Sequence, residues 1–389
     1  MDPYQDGTLN MMSVYPRRFL EPLLRVVTVA AVLITGTGCS HSTDPKQPAG
    51  RTVSIYNWAD FIGHHTVTDF EKATGIQVNY DTFDSDATLE AKLLAGGSGY
   101  DVVSTSTNYF SRQIKAGAYQ KLDRSKLPNW HHLNPKALAI FNTADPGNLY
   151  AVPYLHAING FAYNVGMVKA RMPNAPVDSL DLIFKVENIK KFADCGVIFL
   201  DSAEDVLQLA LNYLHLDPNT DRAEDYQAAA NIIMAVRPYI RTFDSVEYTS
   251  ALANQEACIA MSWSSDYAVA MSRAKAAGSR LDLAFTIPKE GANATYSGLL
   301  IPADAPHPVE AHVFLNFILD PLVIASVTND THYGNDNASA NRWVDPAILS
   351  DPTLYPTEQL MERLYLTHEV SAATERVRTR TWTRIKTAL

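Results

Sequence analysis

Arg51-Thr52-Val53-Ser54-Ile55-Tyr56 alternates along its length and is rich in strand-forming residues, which predicts a strand. It runs into Asn57-Trp58-Ala59-Asp60-Phe61. A helix is expected near Thr66 to Thr74, stopped by Gly75. Ile76 to Tyr80 reads as a second strand. Ala87 to Leu94 reads as a helix ending at Gly96-Gly97-Ser98-Gly99, and Asp101 to Ser104 as a third strand. Strand, helix, strand, helix, strand is the βαβ pattern of an α/β sheet.

Downstream, Tyr150 to Pro153 and Gly160 to Asn164 look like two strands opening another unit. Helices are expected over Asp205 to Leu214, Ala223 to Val236, Ala311 to Ile318 and Glu358 to Tyr365. Further strands are expected over Ala257 to Met261 and Leu283 to Ile287. Open α/β sheets bind ligands at the carboxyl ends of their strands. The loops there hold Trp58-Ala59-Asp60-Phe61, Thr105-Ser106-Thr107, Asp201-Ser202-Ala203-Glu204 and Trp263-Ser264-Ser265-Asp266. Aromatic faces attract cations, and carboxylates pair with them. Singly, Trp58 and Trp263 read as core rather than ligand platform, and Asp60, Glu204 and Asp266 as helix caps or first-turn residues rather than ligand contacts. The repeated pairing of a Trp with a carboxylate after a strand favours a site.

Upstream, Arg17 and Arg18 precede an apolar run, and Thr35-Gly36-Thr37-Gly38 precedes Cys39. This is the order of a secretory signal, expected over residues 1–38. Its uncharged part, Val26 to Gly38, is 13 residues, against roughly 20 needed to span a bilayer. A Cys directly after the small residues has the pattern of a bacterial lipoprotein, with Cys39 acylated. Residues 39–50 have little to bury and read as a tether. The remaining body is long enough for two lobes. No later stretch is apolar enough to cross a membrane, so membrane contact is expected only through the lipid.

The hydrophobic share of 47% and charged share of 19% suit a folded soluble body. The net charge of -10 disfavours nucleic acid and suits a cationic ligand. Cys195 and Cys258 form one disulfide or remain two buried thiols. The chain has no Gly-x-Ser-x-Gly elbow, phosphate loop or His-Glu-x-x-His, and no nucleophile–base pair is apparent. Adjacent His64-His65 and His131-His132 diverge, and Asp81, Asp84 and Asp86 have the wrong spacing for a calcium loop. Neither a metal site nor a cofactor nor an enzyme is expected.

Taken in order, several segments resemble bacterial periplasmic polyamine-binding proteins of ABC importers, the putrescine-binding group most of all. They are Tyr56-Asn57-Trp58, Phe70-Glu71-Lys72-Ala73-Thr74-Gly75, Leu122-Asp123-Arg124-Ser125-Lys126-Leu127-Pro128, Asn174-Ala175-Pro176-Val177-Asp178-Ser179, Cys195-Gly196-Val197, Ile287-Pro288-Lys289-Glu290-Gly291 and Arg376-Val377-Arg378-Thr379-Arg380. The resemblance spans Val53 to Lys386. It implies a type II periplasmic binding protein: two α/β lobes, a hinge and a ligand cleft between them. Lobe 1 would comprise 51–154 and 296–340, and lobe 2 155–295 and 341–389. It also implies a Cys195–Cys258 disulfide, a monomer, and delivery of a polyamine-like cation to ABC permease subunits. A ligand-sensing lipoprotein that signals to a membrane partner is the alternative.

Carried over position by position, the resemblance implies a ligand site of Trp58, Asp60, Ser106, Glu204 with Asp201 beside it, Trp263, Asp266 and Tyr333. Four positions depart from the putrescine-binding pattern. Ala59 stands where a Ser is usual, Phe61 where a Tyr is usual, and Thr295 where an aromatic is usual. Ser297 stands where the family carries an amine-holding Asp. Leaving a buried ammonium without its carboxylate costs roughly 3–5 kcal/mol. Asp60 and Asp84 are the residues expected to compensate, and the preference is expected to have moved away from putrescine.

Overall fold

The computed structural model describes residues 50–388, apart from Asp60, Asp84, Arg280 and the side chain of Ala276. The expected signal peptide, most of the tether and Cys39 therefore lie outside the described residues, as do Asp60 and Asp84.

The opening pattern folds as read. β1 (Thr52–Trp58) leads through α1 (Thr66–Thr74) to β2 (Gln77–Phe83), and then through α2 (Asp86–Ala95) to β3 (Val102–Ser106). β1 pairs in parallel with both β2 and β3. Burial explains the order: every residue of β3 is buried, whereas β2, at the edge, is exposed or half-buried up to Thr82 and buried only at Phe83. α1 ends at Gly75, whose left-handed backbone returns its N–H to the Glu71 carbonyl. α2 is capped by the Ser85 side chain, which accepts from the Thr88 N–H.

β4 (Ala151–Asn164) is one strand of 14 residues, where two short strands were expected. The alternation fails between them because His156 and Asn159 point into the structure. His156 pairs with Asp336 and Asn159 donates to Asp205. Pro153 adds a register shift between Pro153 and Leu155, as a residue without an N–H does in a ladder. The remaining strands are β5 (Val197–Phe199), β6 (Thr242–Phe243), β7 (Ile259–Trp263), β8 (Leu283–Thr286), β9 (Ala292–Leu300), β10 (Gly334–Asn335) and β11 (Leu364–Leu366). The sheet order is β2-β1-β3-β9-β4-β7-β5-β6, with β8 and β10 also on β4 and β11 on β9. β11 corrects the expected helix over Glu358 to Tyr365. Only Glu358–Met361 is helical, because Leu364–Leu366 pairs in parallel with Ala292–Ala294. A tertiary partner overrides local propensity there.

β4 and β9 each change company along their length. Ala151–Ile158 of β4 pairs with β9, while Asn159–Asn164 pairs with β7 and β8. The buried apolar side chains form two clusters, the larger of which runs through this change, from Val103 and Phe110 to Phe199 and Ile259. One gathers Val53, Ile55, Phe70, Val102, Phe314 and Ile324. The other gathers Phe161, Phe199, Leu207, Tyr226, Ile259 and Met261. Trp58 and Tyr267 pack against both. Val344, Ile348 and Leu354 belong to the first core. The Cys195–Cys258 disulfide is formed and joins the start of β5 to the start of β7. No single helix among the described residues is long and apolar enough to cross a membrane.

Gly160 lies against β8 with no room for a side chain. A Cβ there would collide with the Thr286 carbonyl oxygen, which is backbone and cannot rotate away. Gly160→Ala is expected to cost about 1–3 kcal/mol, as overpacking does. A urea unfolding curve with an unchanged midpoint would contradict this close fit.

Candidate functional site

The carboxyl ends of β1, β3 and β7 and the N-terminal turn of the helix Ala203–Tyr213 carry most of the residues singled out in the sequence. The Trp58 loop is fixed by its neighbours. The Phe61 carbonyl accepts from the buried Tyr154 hydroxyl at 2.7 Å and from Asn57 at 3.2 Å. The Phe61 ring stands edge-on to Tyr333, centroids 4.5 Å apart, and Trp58 packs on Phe83 at 4.6 Å. Phe61 is buried and Ala59 exposed.

Asp266 lies in the first turn of the helix Ser264–Ala276, directly after Trp263. Its carboxylate accepts from Tyr333 at 3.2 Å and from the buried Tyr248 at 2.5 Å. Burial and the adjacent carboxylate push the Tyr248 phenol well above its usual range, so it stays protonated and donates. Tyr333 packs on the first core, whereas Tyr248 belongs to the second. Asp266 is thus bound from both.

Glu204 and Asp205 open the helix Ala203–Tyr213 and share the roles the sequence left open between helix end and site. Asp205 is buried and accepts from Asn159 at 3.1 Å and Asn293 at 3.0 Å. It also receives bonds from Ser202 and Trp263, which fixes that indole. Burial raises its pKa despite these donors. Glu204 accepts from Asn108 at 2.9 Å and pairs with Arg378 at 2.9 Å. Burial is the main cause that raises its carboxyl to about 7, with Arg378 opposing and Asp205 and Asp86 adding to the rise.

Ser106, at the end of β3, is buried and opposite Ser297 of β9 in the ladder. Thr295 is half-buried on β9 and accepts from Asn293 at 3.4 Å. Asp201 does not join this group. It is bound by Lys386 at 2.8 Å and Trp382 at 3.2 Å, against the C-terminal helix Ala372–Thr387. Sequence reasoning missed Asn108, Tyr248, Asp205 and Asp86 as neighbours of the site. Arg378 entered it only as framework. Among the described residues no cluster of His, Cys, Asp and Glu is arranged for a metal ion. The assembled group is rich in carboxylate and hydroxyl acceptors beside indole and phenol faces, a chemistry suited to holding cations rather than to transferring groups.

Comparison with known proteins places this geometry in a family. The profile described as bacterial extracellular solute-binding protein matches residues 65–356. The chain is 43% identical to the putrescine-binding periplasmic protein SpuD of Pseudomonas aeruginosa, covering 95% of this chain and 99% of that one. It is also 43% identical to the putrescine-binding periplasmic protein PotF of Escherichia coli, over 91% and 96%. The spermidine/putrescine ABC transporter substrate-binding protein PotD of Streptococcus pneumoniae shares the fold, with a TM-score of 0.72 at 23% identity over 86% of this chain and 98% of that one. The fold is the two-lobed one expected, and the family binds solutes and is not one of enzymes. This chain belongs to the bacterial extracellular solute-binding proteins.

Proposed function

We propose that the chain is a periplasmic solute-binding protein that captures a polyamine or related cationic amine and hands it to the permease of an ABC importer. The observation that carries this reading is Asp266, held between the Tyr333 and Tyr248 hydroxyls beside Trp263. A carboxylate held in place by two phenol hydroxyls beside an indole is an anchor for an ammonium group. The SpuD and PotF relatives, named for putrescine, support the same class. In this reading Trp58, Ala59, Asp60, Phe61, Ser106, Glu204, Trp263, Asp266, Thr295, Ser297 and Tyr333 line the cleft. The first lobe takes 51–154 and 296 to about 355, since Val344, Ile348 and Leu354 pack in its core. Cys39 carries a lipid anchor, and the protein works as a monomer. With Ser297 in place of a carboxylate, the preference moves away from putrescine, to another polyamine or to a ligand with one strongly cationic end.

Thermal unfolding against putrescine, cadaverine, spermidine, spermine, agmatine and γ-aminobutyrate tests the class. At roughly 100 times its dissociation constant a ligand adds about 2.7 kcal/mol to the folded state. A large rise with one amine is expected, smaller for putrescine. No rise with any of them would remove the amine reading, and putrescine as the best ligand would remove the shift in preference.

The Glu204 carboxyl gives a pH test with opposite signs for stability and binding. Its folded value, about 7, lies above the ordinary 4.5. Its contribution to stability is therefore greatest below pH 4.5 and falls as pH rises to about 7, because the buried acid is favoured neutral. A bound cation favours the ionised form, so amine affinity is expected to rise by about tenfold between about pH 5 and pH 8. Calorimetry at the two pH values on the wild type and Glu204→Gln checks this, and a rise as steep in the variant as in the wild type would exclude Glu204 from the ligand's field.

A further inference from the structure

The missing carboxylate at Ser297 has a neighbour that the sequence reading passed over. Ser297 faces Ser106 across the β3–β9 ladder. The Ser106 hydroxyl donates to Asp86 Oδ2 at 2.9 Å, and the Thr105 hydroxyl donates to Asp86 Oδ1 at 2.6 Å. Asp86 is the first residue of α2 and is buried, with 9% of its surface exposed. Its donors are these two hydroxyls and the Ser106 backbone, all neutral. The cation whose field reaches it, Arg112 of the helix Thr107–Lys115, is committed to Glu90 at 2.7 Å. Tyr109, Tyr119 and Glu204 also share its field, and none of them brings positive charge. Buried carboxylates are ordinarily paired with a cation. Burial pushes this one up to about 6, a desolvation cost that a cation beside it would offset.

We infer that Asp86 is the charge-compensating carboxylate for a ligand ammonium seated at the Ser106–Ser297 pair. The inference rests on the amine-binding reading above. Ser106 gives its proton to Asp86, which leaves its oxygen lone pairs to accept from the ammonium N–H. The negative charge that the family places on β9 is thus relocated behind β3 rather than lost. With Asp266 as the other anchor, the inference narrows the two ligand classes proposed above to a dication, a diamine or longer polyamine, over a ligand with one cationic end.

The test compares the wild type, Asp86→Asn, and the double variant Asp86→Asn with Ser297→Asp. Putrescine is titrated by calorimetry near pH 8, or, if it gives no thermal shift, the panel amine with the largest one. Asp86→Asn is expected to weaken binding by about 30-fold or more, as loss of a buried partner charge does. It should not lower the unfolding midpoint of the empty protein, since it removes an unpaired buried charge, and it should flatten the rise in affinity through pH 6. The double variant returns the carboxylate to the family position and is expected to recover about tenfold or more. Binding by Asp86→Asn within about threefold of wild type would overturn the role of Asp86 alone. So would a loss that Ser297→Asp does not recover, which would mark a structural effect. A wild type that binds no amine would instead overturn the underlying reading and this inference with it.

Discussion

The antiparallel pairing of β4 with β9 is the constraint on which the rest of the molecule depends. Residues Ala151–Ile158 lie against Ala294–Leu300, and both strands then continue with other partners. Because the side-chain period of a strand is two, this register decides which residues face each core and which face the gap between them. It sets Ser297 beside Ser106. It also brings Asn159 of β4 and Asn293 of β9 to one oxygen of Asp205, at 3.1 and 3.0 Å. That carboxylate ties the helix Ala203–Tyr213 to both crossing strands, and Glu204 is aimed at Asn108 as a consequence.

The electrostatics follow from the same packing. Asp86, Glu204 and Asp205 are all raised by burial, and the donors around them offset only part of that cost. Arg378 supplies one resident positive charge, at Glu204 and Glu375. A fold optimised for stability alone would replace such groups with apolar ones. Keeping them makes sense where a cation arrives from solution, because the desolvation already suffered by the carboxylates strengthens their attraction for it.

Much of the fold was legible because its first lobe begins with local patterns. The helices Thr66–Thr74 and Ala223–Val236 fall where apolar spacing and the stop at Gly75 put them. Glu204 and Asp266 were readable as first-turn residues and as acceptors, and they are both. What escaped was set by distant partners. The middle of β4 carries buried polar residues whose partners lie at Asp205 and Asp336. β11 is a strand only because β9 is beside it. Tyr248 stands on a short helix of its own and reaches Asp266 only through the packing of that helix on its neighbour.

Asp86 shows why a site read position by position can miss its own chemistry. The resemblance assigned each role to one place in the chain, so a Ser at 297 registered as a loss, with Asp60 and Asp84 as the expected compensation. A bound ammonium responds to charge in space. Ser106 and Ser297 are neighbours across strands, so a carboxylate behind either one acts on the same point. Moving it from β9 to α2 keeps the sign of the field and changes its direction, because the charge now acts from behind a hydroxyl rather than in direct contact. Selectivity among amines of similar charge depends on the spacing of the two anchors and the depth at which each is met. A relocated anchor therefore alters which amine fits best without altering the class that binds.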